Sequence, residues 1–156
     1  MKLGTLARIA LLFVALPAVG VGSASAQSLT LAQARTAMDA AEAEARRNQW
    51  NLTILIVDAD GVPIYLRRMD GASPRTQDVA MRKVMTSLAS GMHSGDYGQA
   101  LAAGRTDTIP NGVTFEGGLL VRLGGQIVGA MSASGARGSE DAQVVRVGMA
   151  AIGAQP

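Results

Sequence analysis

The chain has 156 residues, with 14 basic and 12 acidic side chains, one histidine and a net charge of +2. It has no cysteine, which excludes disulfides, thiolate catalysis, cysteine zinc sites, iron–sulfur clusters and haem attachment through C-x-x-C-H. Aromatic residues make up 3% of the chain, too few for a base-stacking platform, and the charge is too small for a phosphate-tracking surface.

The first 26 residues, "MKLGTLARIALLFVALPAVGVGSASA", have the pattern of a secretory signal peptide. Lys2 and Arg8 give a basic start, Ile9 to Leu16 an apolar run, and Ala24-Ser25-Ala26 an A-x-A cleavage site. The apolar run is short of the roughly 20 residues a membrane span requires. The reading is therefore an exported protein, periplasmic or secreted, with no membrane insertion after cleavage and a mature domain at 27–156. Lys2 and Arg8 are two of the 14 basic residues and no acidic residue lies in this segment, so 12 charges of each sign remain. The positive balance is thus a targeting effect and gives no reason to expect nucleic acid as a partner.

Thr30 followed by Gln33 has capping-box spacing. Leu31, Ala34, Met38, Ala41 and Ala45 then form an apolar stripe, which predicts an amphipathic helix ending near Asn48. "LTILIV" is apolar at both alternating positions, as in a central strand covered on both faces. Asp58 to Gly61 supplies a turn, with Asp58 using its carboxylate for local hydrogen bonds. A second strand follows from Pro63, where a missing N–H is tolerated.

Helical periodicity returns from Thr76 to Ser90, with Val79, Met81, Val84, Met85 and Leu88 as its expected buried face and Gly91 as its stop. A short helix is expected over 96–103, an exposed loop over "GRTDTIPNG" and a short strand over 113–115. Gly124-Gly125 joins two further strands as a hairpin. Ser139 is expected to cap a last helix, with Glu140 and Asp141 at its positive end. Helices and hairpins in this order predict an α+β single domain, a mostly antiparallel sheet covered by helices.

The stretch "AMRKVMTSLASGMHS" (80–94) gathers Lys83, His93 and three of the eight methionines. Met81, Met85, Leu88 and Met92 lie along one helical face. They fit core filling, and they also fit a soft apolar wall for a flat ligand such as haem. Neutral imidazole binds iron well, so His93 is the candidate metal ligand; a histidine just past a helix-ending glycine also fits a surface residue. Lys83 fits either the solvent edge of the helix or a partner for a ligand carboxylate. No G-x-S-x-G elbow, Rossmann or P-loop fingerprint occurs, and no catalytic residue is assigned.

Several segments together resemble a known family. They are "TLAQARTAMDAAEAEA", "TILIVDADGVPIYLRRMDGA", "AMRKVMTSLASG" and "GQIVGAMSASG" with the acidic pair behind it. They are similar to the GlcG/HbpS-type domains, also found at the C-terminus of some corrinoid adenosyltransferases. The motifs are Val57-Asp58 with Gly61, Arg68-Met69-Asp70-Gly71-Ala72, and Lys83 with Thr86 in an A-x-x-K-A-x-T-A pattern from which Val84 and Ser87 depart. Glu116-Gly117-Gly118 replaces a common P-G-G.

The resemblance implies a profilin-like fold, homo-oligomers and, for exported members, haem or a related tetrapyrrole as a small-molecule ligand. It places His93 or Ser94 near the iron and gives Lys83 and Thr86 a reason beyond chance; with Met85 and Met92 from the soft-wall reading of the helix face, the candidate cofactor-binding set is His93, Ser94, Lys83, Met85 and Met92. It also leaves open an accessory protein or enzyme acting on a short hydroxy acid or aldehyde, with Lys83, Arg68 and Asp70 as its polar groups, and a ligand-free oligomeric interaction domain.

Overall fold

The computed structural model describes residues 28–155; the signal-peptide reading falls outside them. The element order is α1 (Leu31–Arg47), β1 (Thr53–Asp58), β2 (Pro63–Arg68), α2 (Arg75–Ser90), α3 (Ser94–Ala102), β3 (Gly118–Leu123), β4 (Gln126–Ser134) and α4 (Gly138–Ala150). The four strands form one sheet in the order β2-β1-β4-β3. All three pairings are antiparallel. β1 and β4 are central and run in register from Thr53 opposite Ser134 to Asp58 opposite Gly129. The α+β expectation of an antiparallel sheet covered by helices is the observed architecture.

β1 decides how the layers form. Its side chains alternate between the two sheet faces, and every one from Thr53 to Val57 is buried. Ile54 and Ile56 join the larger core with Met38 and Ala41 of α1 and Val144, Val145 and Met149 of α4. Leu55 and Val57 face Ala80 and Val84 of α2. The sheet thus lies between α1 and α4 on one side and α2 on the other.

Local chemistry sets the element ends. Thr30 and Gln33 form the expected capping box on α1. The Asp58 carboxylate accepts from the Asp60 and Val62 N–H groups at 3.0 and 2.8 Å, closing the first hairpin. No strand forms over 113–115: Val113 donates instead to the Thr86 hydroxyl at 3.0 Å. α4 begins at Gly138 with Arg137 as its cap residue, not Ser139. The Glu140 carboxylate accepts from the Arg137 N–H at 2.9 Å and that of Asp141 from the Ala136 N–H at 3.1 Å, so the acidic pair does the capping.

The buried face of α2 differs from the one apolar periodicity predicts. Ala80, Lys83, Val84, Thr86 and Ser87 are buried, whereas Met85 is 45% exposed. The helix lies close against the start of β3, where a Cβ on Gly118 would stand 2.7 Å from the Lys83 carbonyl oxygen. Small and polar side chains suit that approach because backbone groups across the gap satisfy them. Ser87 donates to the Gly118 carbonyl at 3.0 Å, and Ser132 of β4 donates to the Ala80 carbonyl at 2.8 Å.

β3 is an edge strand, and its outward N–H groups are occupied. That of Gly118 donates to Ser94 Oγ at 3.0 Å, that of Leu120 to His93 Nδ1 at 3.2 Å and that of Arg122 to the Gln155 carbonyl at 3.1 Å.

Candidate functional site

One concavity lies between α3, the turn before β3 and α4, another between α2 and residues 109–112, and of the five candidate residues His93 lines the first and Met85 the second. Lys83 belongs to neither. Its side chain is 1% exposed, and its ammonium donates to Asp141 at 2.7 Å and to the Ala133 carbonyl at 2.8 Å. Both solvent-edge and ligand-carboxylate roles are thereby corrected: this cation is sealed in the core and already paired. Burial pulls the Lys83 pKa below its usual value, offset in part by the Asp141 charge. Burial likewise pushes the Asp141 carboxyl up, with Lys83 and the Ala136 N–H opposing it. Gly117 closes over the pair with φ +111°, and a Cβ there would stand 2.8 Å from Asp141 Cβ.

Ser94 is also committed. Fully buried, it donates to the Phe115 carbonyl at 2.8 Å while accepting from the Gly118 N–H. It clamps the turn that shapes the site and leaves no free hydroxyl for a ligand. Met92 is half-buried and lines neither concavity.

His93 is the N-cap residue of α3 and half-buried. Its Nδ1 accepts from the Leu120 N–H, so the neutral ring carries its proton on Nε2. Burial lowers its pKa below the ordinary 6.5; Asp96 opposes this, whereas Arg122 and Arg146 reinforce it. In this arrangement neither ring nitrogen has a free lone pair for a metal. The ring lines a cavity of about 60 Å³ with Gly95, Asp96, Glu116, Gly117, Gly118, Leu119, Ala142 and Arg146. Among the described residues no group of three His, Asp or Glu is disposed to hold a metal ion.

The second concavity is a mainly apolar cleft of about 280 Å³ between α2 and the segment 109–112. Met81, Met85, Ala89, Ile109 and Pro110 supply its apolar walls and Arg82 and Asn111 its polar rim, with the buried Thr86 also in the lining. The buried Tyr97 accepts from the Ile109 N–H at 2.8 Å, and Arg82 Nε donates to the Asn111 carbonyl at 2.9 Å. These bonds hold the far wall in place. Met81 and Met85 both line this cleft.

Nearly all of the described chain, residues 29–150, matches one family model, "Haem degrading protein HbpS-like". The chain belongs to the HbpS-like family. Protein GlcG of Escherichia coli is 32% identical over 97 residues, covering 61% of this chain and 72% of that protein. An uncharacterized 15.0 kDa protein from the dhaT-dhaS intergenic region of Citrobacter freundii is 30% identical over 120 residues, covering 73% of this chain and 84% of that one. Among solved structures, a double mutant of HbpS from Streptomyces reticuli is 30% identical with a TM-score of 0.74, covering 88% of this chain and 97% of its own. A PduOC:heme complex shares the fold at 23% identity, with a TM-score of 0.71 and coverage of 83% and 98%.

Within this HbpS-like chain, sequence reasoning missed both the far wall of the cleft and the charges around His93. Ile109 and Pro110 read as exposed loop, and no sequence pattern singles out Arg146. The rigid dipeptide Ile109-Pro110 inside an otherwise polar loop was the available signal. None of Arg68, Asp70 and Lys83, the polar set for a hydroxy-acid reading, lines either concavity. Arg68 donates to the Ala72 carbonyl at 2.9 Å, Asp70 is exposed and Lys83 is sealed.

Proposed function

We propose that this chain is an exported small-molecule-binding protein whose ligand is haem or a related tetrapyrrole, held in the Met81–Met85 cleft. The observation that carries this reading is the cleft itself: an apolar slot with an accessible thioether and an arginine at its rim. Its volume of about 280 Å³ approaches the lower end, roughly 300 Å³, of small-ligand pockets. A flat ligand seated edge-on there has one side in solvent.

The residues fit that ligand. Met81, Met85, Ile109 and Pro110 would contact the macrocycle, and Arg82 keeps its terminal guanidinium nitrogens for a propionate. Haem bound there would supply an iron centre able to accept a soft thioether ligand. Support also comes from the family's haem description and from the haem complex of a protein with the same fold. Export rests on the N-terminal segment ending at Ala26. Homo-oligomerisation belongs to the same reading.

Haemin titration of the mature protein tests this. A saturable Soret band is expected, shifted by Met85→Leu and unchanged by His93→Ala. A colourless protein that ignores haemin overturns the reading. A band lost in His93→Ala and untouched in Met85→Leu overturns the cleft and moves the ligand to His93. Mass determination of the exported protein should place its first residue at Gln27.

A further inference from the structure

We propose that the small cavity beside His93 is a binding site for a zwitterionic amino acid of glycine size, separate from the tetrapyrrole cleft. The two concavities share no lining residue, so this site stands independently of the cleft reading.

Three elements bring three charged side chains to one cavity: Asp96 from α3, Glu116 from the turn before β3 and Arg146 from α4. None of them forms an ion pair with any described residue. Surface charges gathered at a concavity without neutralising one another are available to a ligand. Two carboxylates and one guanidinium ask for a partner with one cationic and one anionic end. Arg146 offers a forked donor matched to a carboxylate. Asp96 and Glu116 accept from an ammonium group. His93 adds a neutral polar donor at Nε2, because the Leu120 N–H holds the other nitrogen as an acceptor.

Size narrows the class. The cavity is small, about 60 Å³, where one water needs at least about 10–15 Å³, which favours the smallest zwitterionic amino acid, glycine. The floor of Gly117 and Gly118 is fixed, since Ser94 clamps this turn and the Lys83–Asp141 pair lies directly beneath it. The three acids and bases do not read as a metal site, because no described His, Asp or Glu trio is disposed to bind one.

Calorimetric titration of the mature protein with glycine, glycolate and ethylamine separates the two ends of the ligand. Glycine is expected to bind saturably and at least about tenfold more tightly than the other two, equivalent to about 1.4 kcal/mol. Glycolate lacks the ammonium group and ethylamine the carboxylate. Arg146→Gln and Glu116→Gln, both at exposed positions, should each weaken glycine binding by about tenfold or more. Met85→Leu should leave it unchanged. Glycolate binding as tightly as glycine would sink the proposal, because the carboxylates would then have no role. So would the absence of saturable glycine binding at about 10 mM, or full retention of it in Arg146→Gln.

Discussion

Lys83 and Asp141 meet at 2.7 Å with side-chain exposures of 1% and 3%. This contact joins α2 to the first turn of α4 across the end of β4. Removing one partner leaves a buried charge without compensation, which typically costs about 3–5 kcal/mol. Lys83→Met is therefore expected to lose stability on that scale in urea denaturation. Adding Asp141→Leu should restore part of the loss, so that the double variant lies more than about 1 kcal/mol from the sum of the singles. Strict additivity would count against a coupled pair.

Gly117 closes over that pair. Its φ of +111° and the 2.8 Å that would separate an added Cβ from Asp141 Cβ leave no room for a side chain. Gly117→Ala should destabilise by more than about 1 kcal/mol, against the small gain that the same change gives at an unstrained site. A denaturation midpoint equal to that of the parent protein would contradict the packing described.

Ser94 satisfies two backbone groups with one hydroxyl. Ser94→Ala frees the Phe115 carbonyl and the buried Gly118 N–H, with an expected cost of about 1–3 kcal/mol. Amide exchange at Gly118 should accelerate more than at Val121. Uniform exchange along β3 would show that the clamp is not local.

His93 makes stability depend on pH. Its folded-state pKa is held below 6.5 by burial, with Arg122 and Arg146 acting in the same direction and Asp96 against. The unfolded chain therefore takes up the proton first. The contribution is complete above 6.5 and declines as pH falls through the folded-state value. His93→Gln retains an acceptor for the Leu120 N–H without titrating. The stability difference between parent and variant should be flat above pH 6.5 and shrink below it. An identical acid limb in both proteins would show that His93 does not titrate with folding.

Much of the fold was legible because its signals are local. The doubly apolar "LTILIV", the Gly124-Gly125 turn and the Thr30/Gln33 box each act over a few residues, and each appears where expected. The family motifs led to Lys83 and Thr86, although their shared role is backbone satisfaction in the core. The buried face of α2 was not legible. Apolar periodicity favours Met85 over Ser87, whereas the carbonyl of Gly118, 31 residues away, decides for Ser87. The candidate site suffered in the same way. Its walls come from α2, α3, α4 and the loop between α3 and β3, and only the folded chain brings Arg146 beside His93 or Ile109 beside Met85.

The occupied outer edge of β3 has a consequence for growth of the sheet. With the outward N–H groups of Gly118, Leu120 and Arg122 bonded to Ser94, His93 and Gln155, an incoming extended segment finds no donor along this border. The protein is thus insulated on one flank against strand addition, the route by which exposed edges recruit peptides or seed fibrils. Any lateral extension of the sheet has to begin at β2.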